Sequence, residues 1–442
     1  MGNNVIFTLL TILYFFIYVV TSLNSSTDEY ALLAFKYQIT SYPNKILAKN
    51  WSQGTSFNWI GITCGKRHQR VRGLNLANMG LGGTIAKEIG GLSFLRSLVI
   101  SNNNFHGFIP DEMGKLSQLR EIEMQYNELN GNIPTRLGFL ENLQKLNLSY
   151  NGLIGDIPYR ILNLSSLVEI SFGRNSLSGS LPTDICYNLP KLKMLRISGN
   201  QISGNIPPSL GTCTNLKLLS LSYNNFAGSI QMEIGNLSKL EILNLGKNNL
   251  IGDLPSTIFN ITSLLHISVG ANKISGKFPE DPCNRATMLE YLEISYNKFH
   301  GEIPPSLLQC HALQNLYING NEFTGNIPNE IGNLSTLQIL DLSENEFTGN
   351  IPNEIGNLST LQKLYLGRNG FSGTVPYSIG SLSNLKVLFI GINRLHGQIP
   401  ESIFNLSMLQ ILAFQKNNIY GNLPSSIANG LPDLKGLYIG DN

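Results

Sequence analysis

Along most of this chain, apolar and polar residues alternate in short runs that each end at an asparagine. The pattern LxLxxNxLxGxIP recurs as LVISNNNFHGFIP (98–110), IEMQYNELNGNIP (122–134), LNLSYNGLIGDIP (146–158) and ISFGRNSLSGSLP (170–182). It continues through LRISGNQISGNIP (195–207) to LAFQKNNIYGNLP (412–424). The asparagine falls at Asn103, Asn127, Asn151, Asn175, Asn200, Asn224, Asn248, Asn272, Asn297, Asn321, Asn345, Asn369, Asn393, Asn417 and Asn442. The step from Asn103 to Asn127 is kept throughout, except that three of the steps are longer by one. Two-residue alternation predicts a short strand with Leu146, Leu148 and their equivalents turned inward and the residues between them facing water. Strands stacked about 4.8 Å apart predict one long parallel sheet, roughly 70 Å from end to end. The asparagine amide both donates and accepts, so when turned inward it can satisfy backbone groups of neighbouring coils. Gly107, Gly131 and their equivalents supply a tight turn, and the proline that follows stiffens the return. The segment IGNLSxL supplies a helical or 3-10 turn on the opposite side.

The first residues break this pattern. Val5 to Val20 form a nearly continuous apolar run followed by Thr21 and Ser22. An apolar core of about 7–15 residues followed by small residues predicts a secretory signal peptide over 1–22; the other reading is an uncleaved N-terminal anchor. No other stretch is long and apolar enough to span a bilayer, which takes about 20 residues. Composition narrows the class further. Charged residues are 14%, and 31 basic against 29 acidic side chains give a net charge of +2. A nucleic-acid binder would carry a dominant basic patch, so none is expected as a partner. With 42% hydrophobic residues the chain can build a core and is not a disordered segment.

The unit LxxLxLxxNxLxGxIPxxIGNLxxL resembles the plant-type leucine-rich repeat. The region before it reads DEYALLAFKYQI (28–39), NW (50–51) and NWIGITC (58–64), and resembles the N-terminal cap of plant leucine-rich-repeat receptor kinases. The likeness is greatest to the group of the flagellin, elongation-factor-Tu and rice bacterial-blight receptor kinases. It implies an α/β solenoid: a right-handed superhelix with one long parallel β-sheet on the concave face and 3-10 or helical turns on the convex side. The chain then divides into a signal peptide (1–22), a cap (23–70) and an array of leucine-rich repeats (71–442). That array holds about fifteen repeats of roughly 24 residues each, the last incomplete. The resemblance further implies a peptide or protein ligand, a co-receptor kinase of the same kind, and an extracellular location. More repeats, a second cap, a membrane helix and a serine/threonine kinase are implied beyond Asn442.

The sequence departs from that family at two internal points. The family cap carries a cysteine pair of the form CxWxGIxC; here Phe57 takes the first position, which leaves Cys64 as a free thiol. The first repeat has Met79 where the ladder asparagine belongs. The other four cysteines follow the repeat: Cys186 and Cys213 are 27 apart, as are Cys283 and Cys310. Two readings stand for them, inter-coil disulfides or buried thiols filling the apolar slot that Leu237 and Leu334 take elsewhere. Sequons of the form N-x-S/T occur at Asn24, Asn50, Asn147, Asn163, Asn236, Asn260, Asn333, Asn357 and Asn405. From Asn163 onward all six stand at one offset from a ladder asparagine, as Asn163 does from Asn151, which predicts a glycan stripe along one flank. Asn147 instead projects from a strand.

Catalytic motifs are missing. The chain contains no GxxxxGK[ST], GxSxG, HExxH, HRD or DFG, so nothing in it transfers phosphate and no cofactor or metal is expected. His106, His300 and His396 share the slot before the turn glycine, as solvated turn residues. The basic stretch Lys66, Arg67, His68, Arg70 and Arg72 is read as a wet surface.

Recognition on the sheet is what remains. Its solvent-facing positions are those 6, 4, 2 and 1 residues before each ladder asparagine. In the first half they include Glu121, Glu123, Gln125, Tyr126 and Tyr150; later Tyr291, Glu293, Tyr296, Tyr317, Asp341, Lys363, Tyr365 and Phe389 fall in five consecutive coils. Aromatics flanked by charges anchor peptide and protein interfaces, although strands also favour aromatics for their own sake. The segments 321–340 and 345–364 differ at one residue in twenty, which implies a recent duplication of one unit. The expected function is the ligand-recognition domain of a plant cell-surface receptor kinase in defence or developmental signalling. The alternatives are a secreted decoy or inhibitor of a microbial protein, or a non-functional gene fragment.

Overall fold

The computed structural model describes residues 27–41, 47, 50–52, 59–66, 69–425 and 427–442. The expected signal peptide, the Asn24 sequon, Phe57, Arg67 and His68 lie outside them. The chain divides into two compact units, Met1–Ser203 and Gly204–Asn442.

In the first unit, residues 27–38 form a helix. Strand Ile39–Ser41 follows and pairs antiparallel with Gly82–Thr84. A second cap strand, Ile62–Cys64, lies antiparallel on Val71–Asn75 and so covers the edge of the first repeat strand. From there every pairing is parallel: Ser97–Val99, Glu121–Glu123, Lys145–Asn147, Glu169–Ser171 and Met194–Arg196 follow in register. The second unit repeats the scheme from Leu218–Ser220 through Tyr291–Glu293, Asn315–Tyr317, Ile339–Asp341, Lys363–Tyr365 and Val387–Phe389 to Gly436–Tyr438. The middle residue of the second unit's strands, from Leu219 through Leu292, Leu316, Leu340 and Leu364 to Leu412, is completely buried, and Leu437 on the last strand is half-buried.

On the far side, 3-10 turns such as Met232–Asn236, Asn329–Asn333 and Asn353–Asn357 close the coils. They stack tightly: a Cβ on Gly235 would come 2.5 Å from the Thr257 carbonyl oxygen, which is why glycine stands in IGN. Between turn and sheet runs a buried column of phenylalanines. Phe299, Phe323, Phe347 and Phe371 stack with ring centroids 6.2, 6.2 and 6.0 Å apart.

Each ladder asparagine performs the double role its amide permits. Oδ1 of Asn345 accepts from the Phe323 N–H (3.1 Å), while its Nδ2 donates to the carbonyls of Ile318 (3.1 Å), Leu342 (3.2 Å) and Ser343 (3.1 Å). Asn103 does the same in the first unit, accepting from both Met79 and Leu81.

Three features depart from the sequence reading. The segment after the asparagine is more than a turn, because it forms a second parallel ladder, for instance Asn104–Phe108 on Glu128–Asn132 and Asn249–Asp253 on Lys273–Lys277. His106, His300 and His396 accordingly sit on strands, with their side chains exposed. The residue just before each ladder asparagine adopts a left-handed backbone even where it is not glycine: Tyr126 has φ 57°, Tyr296 52°, Glu344 52° and Ile392 60°. Finally, Arg70 is no part of a wet surface. It is 5% exposed and forms a bidentate pair with fully buried Asp28, Nε and an Nη each 2.8 Å from a carboxylate oxygen. Asp28 also accepts from the Val71 N–H (2.9 Å), and the guanidinium rests on the Phe94 ring at 4.5 Å. A buried cation needs such a partner, and the helix at 27–38 supplies it.

Candidate ligand-binding face

Short strands in strict register put every second side chain of the second unit's sheet on its solvent face. Two lines of side chains result. One runs His266, Tyr291, Asn315, Ile339, Lys363 and Val387; the other runs Ser268, Glu293, Tyr317, Asp341, Tyr365 and Phe389. Seven of the eight candidate residues thus fall on one continuous surface, half-buried against one another. The eighth, Tyr296, belongs to the left-handed turn beside the sheet and is 56% exposed. Its ring lies over Gly320, where a Cβ would come 2.5 Å from Cδ1.

The aromatics brace one another. Tyr291 stacks on His266 at 3.9 Å and tilts against Tyr317 at 5.6 Å. Burial raises the Tyr291 phenol far above its ordinary value, with Glu293 and Tyr317 adding to the effect. Burial and the Asp341 charge raise Tyr317 and Tyr365 in the same direction. Burial lowers the His266 imidazole against the opposing charge of Glu290. All four rings are therefore uncharged at neutral pH.

The two carboxylates are each held from one side. Asp341 accepts from the Ser343 N–H (3.0 Å) and hydroxyl (2.6 Å), both at Oδ1, and Oδ2 has no hydrogen-bond partner among the described residues. Glu293 accepts from the Ser268 hydroxyl at Oε2 and lies across Gly270, whose missing side chain makes room for it. Neither carboxylate forms an ion pair among the described residues, although Lys363 stands in the adjoining line. Burial raises Asp341 above the usual carboxylate range; the Ser343 hydrogen bonds oppose that and Glu344 adds to it.

Sequence reasoning did not single out His266, the two serines or the glycine floor. The Phe389 ring occupies the space a Cβ on Gly367 would take, and Glu293 depends on Gly270 in the same way. The signal was present, since these glycines all stand two residues before a ladder asparagine.

The first unit carries a different surface. Lys145 is clamped by Glu123 and lies 3.9 Å from Glu121 and 4.0 Å from Glu169, while Tyr126 and Tyr150 stack at 4.3 Å. Here the charges are already paired.

The duplicated coils show which positions have changed. Units 321–344 and 345–368 differ at four positions: Ile339/Lys363, Asp341/Tyr365, Ser343/Gly367 and Glu344/Arg368. All four lie 6, 4, 2 and 1 residues before a ladder asparagine, on the strand's solvent face and the turn beside it. Exposure alone does not explain this, because Glu322/Glu346, Asn329/Asn353 and Asn333/Asn357 are more open to water than Ile339, Asp341 or Ser343 and yet identical.

The remaining candidate residues lie elsewhere. Asn163, Asn236, Asn260, Asn333, Asn357 and Asn405 each end a 3-10 turn with the side chain exposed. Asn147 is half-buried at a strand end, and the Oδ1 of Asn50 accepts from the Ile60 N–H at 2.6 Å. Cys283 and Cys310 are joined with their Cα atoms 5.2 Å apart, and Cys186 and Cys213 are also disulfide cysteines. The two sequence readings were not exclusive, since Cys213 and Cys310 also fill their apolar slots at 2% and 1% exposure. Cys64 is a free thiol whose pKa is raised by burial and by Asp28.

Family models for the leucine-rich repeat match residues 93–153, 141–202, 190–233, 239–261, 288–310, 312–334, 336–358 and 360–382. The structure of the Arabidopsis receptor kinase HAESA, solved with the peptide hormone IDA and the co-receptor SERK1, superposes with a TM-score of 0.79 at 30% identity over 93% of this chain and 73% of that one. The chain belongs to the plant leucine-rich-repeat receptor-kinase family. The plant peptide hormone receptor RGFR1 in complex with RGF2 gives a TM-score of 0.79 at 34% identity, over 84% of this ectodomain-like chain and 58% of its own. The receptor-like serine/threonine kinase EFR of Arabidopsis thaliana is 45% identical over 76 residues, 17% of this chain and 7% of that protein. The likeness to such kinases is confined to their repeat region. No helix among the described residues is long and apolar enough to cross a membrane.

Proposed function

We propose that this chain is the extracellular ligand-recognition part of a plant cell-surface receptor kinase, and that a peptide or protein ligand lies across the solvent face of the second unit's sheet. One observation carries the reading: two nearly identical coils differ only at positions on that face and its flanking turn, while the scaffold and the rest of their surface are unchanged. A scaffold kept constant beneath a varied face is what specificity requires. The half-buried line Glu293, Tyr317, Asp341, Tyr365 and Phe389 supplies rigid aromatic anchors with polar groups between them. The peptide complexes of RGFR1 and HAESA support a peptide as ligand, and the latter supports a co-receptor kinase as second partner. The signalling itself, in defence or development, belongs to a kinase and membrane helix supplied by the longer protein. The exposed 3-10-turn asparagines carry glycans, along with Asn50 and Asn147, on this reading of the chain as a secretory-pathway product.

The test is selection of a random peptide display library against the secreted chain. Peptides that bind should lose at least tenfold in affinity with Tyr317→Ala or Tyr365→Ala, and keep it with Tyr37→Ala on the cap helix. Equal loss in all three variants, or in none, refutes the assignment of the face.

A further inference from the structure

Resting on that reading, we infer the chemistry of the ligand: a peptide in polyproline II conformation with basic side chains at positions i and i+3 and an apolar side chain at i+6. The juxtaposition that carries this is the line Glu293, Tyr317, Asp341, Tyr365 and Phe389, in which consecutive members are direct strand partners.

Three spacings coincide. Neighbouring strands lie about 4.8 Å apart, so Glu293 and Asp341, two strands apart, are separated by roughly 9.6 Å. Phe389 stands two strands beyond Asp341, roughly the same distance again. A polyproline II helix rises about 3.1 Å per residue with three residues per turn, so i, i+3 and i+6 point to the same side about 9.3 Å apart. An extended β peptide fails this match, because its same-side residues recur every two positions, about 6.6 Å apart. Grooves lined by aromatic rings are a recurring way of binding polyproline II segments, whose order exists before binding.

The charges select the sign. Each carboxylate has one oxygen tethered by a serine and the other without a protein hydrogen bond among the described residues, and neither forms an ion pair there. Half-buried anions without a cation are incomplete, and a guanidinium or ammonium group would complete them. Tyr317 flanks both sites and Tyr365 flanks the Asp341 site, so each offers a ring face to the arriving cation. Phe389, packed over Gly367, offers an apolar ring two strands beyond Asp341, the nearest charge in the line. The peptide can run in either direction along this line.

The experiment uses the intact secreted chain and labelled proline-rich decapeptides, measured by fluorescence anisotropy. One pair carries arginine at i and i+3 with leucine at i+6, in forward and reversed order. Others place the arginines at i and i+2 or i and i+4, or replace both by glutamine. One of the i, i+3 peptides should bind at least tenfold tighter than every misplaced or neutral one. Asp341→Asn and Glu293→Gln are isosteric, so the fold is kept, and each should weaken that peptide at least tenfold. Equal binding of all spacings, or no effect of either variant, overturns the inference. Peptides from the random library separate the two levels. If they bind through Tyr317 and Tyr365 without paired basic residues, this inference fails and the binding face stands. If neither set binds, both fail.

Discussion

Replacing Asn297 tests whether the asparagine ladder holds the coils together. Its Oδ1 accepts from the Ile274 N–H at 3.0 Å, and its Nδ2 donates to the carbonyls of Val269 (3.1 Å), Ile294 (3.1 Å) and Ser295 (3.2 Å). The residue is 9% exposed, so water cannot take over these roles. Val269 and Ile294 each keep a second amide donor, from Asn272 and Asn321. Asn297→Leu therefore strands one donor outright, at about 1–3 kcal/mol, and weakens carbonyls that remain partly satisfied, at about 0.5–1 kcal/mol. The expected loss is about 1.5–4 kcal/mol. Asn297→Asp keeps the acceptor for Ile274 but turns a carboxylate oxygen toward three carbonyls, and should cost more than leucine does. Urea melts give the ranking, and hydrogen exchange at Ile274 locates it, since that amide should lose protection in the leucine variant and keep more in the aspartate one. A loss below about 0.5 kcal/mol for leucine, the range of an ordinary surface substitution, or an aspartate variant as stable as wild type, would refute the hydrogen-bond account.

Three further outcomes are expected. Asp28→Ala leaves the buried Arg70 guanidinium with Ser93 (3.0 Å) as its remaining hydrogen-bond acceptor among the described residues, and should destabilise the first unit by about 3–5 kcal/mol. The double variant Asp28→Leu, Arg70→Met should recover most of that in a melt. Asp341→Asn should stabilise the second unit at pH 7 while weakening peptide binding. The sign follows from the raised pKa of Asp341: its ionisation costs stability as pH rises through the folded value, so wild type and variant should converge below the ordinary carboxylate pKa. The groups facing it are Tyr317, Tyr365, Lys363 and Glu344, and melting curves at pH 3 and pH 7 provide the comparison. Ile392→Gly should raise stability by about 1 kcal/mol, because a β-branched residue at φ 60° is strained in the left-handed region; an unchanged or lower melting midpoint would contradict this.

The repeat made the scaffold legible without coordinates. Leu at alternate positions, an asparagine at near-constant intervals and the GxIP turn specify strand, ladder and return, because each coil meets the same neighbours and local pattern and tertiary environment coincide. The solvent face could be read by counting back from each asparagine, and Tyr291, Glu293, Tyr317, Asp341, Lys363, Tyr365 and Phe389 lie on it as counted. What counting could not supply was anything that depends on a partner far along the chain. Arg70 looked like one more surface cation until Asp28, 42 residues earlier, was brought beside it. The second ladder after each asparagine was hidden because its strands carry glycine and polar residues, and are ordered by the coils on either side rather than by their own propensity. Tyr296 counted as a sheet residue, yet its φ of 52° places it in the turn. The sequence by itself determined which side chains of the repeat strands point outward. Only the tertiary structure decided which of them stack, which charges find a partner and which, like Asp341, do not, because those are properties of neighbouring coils.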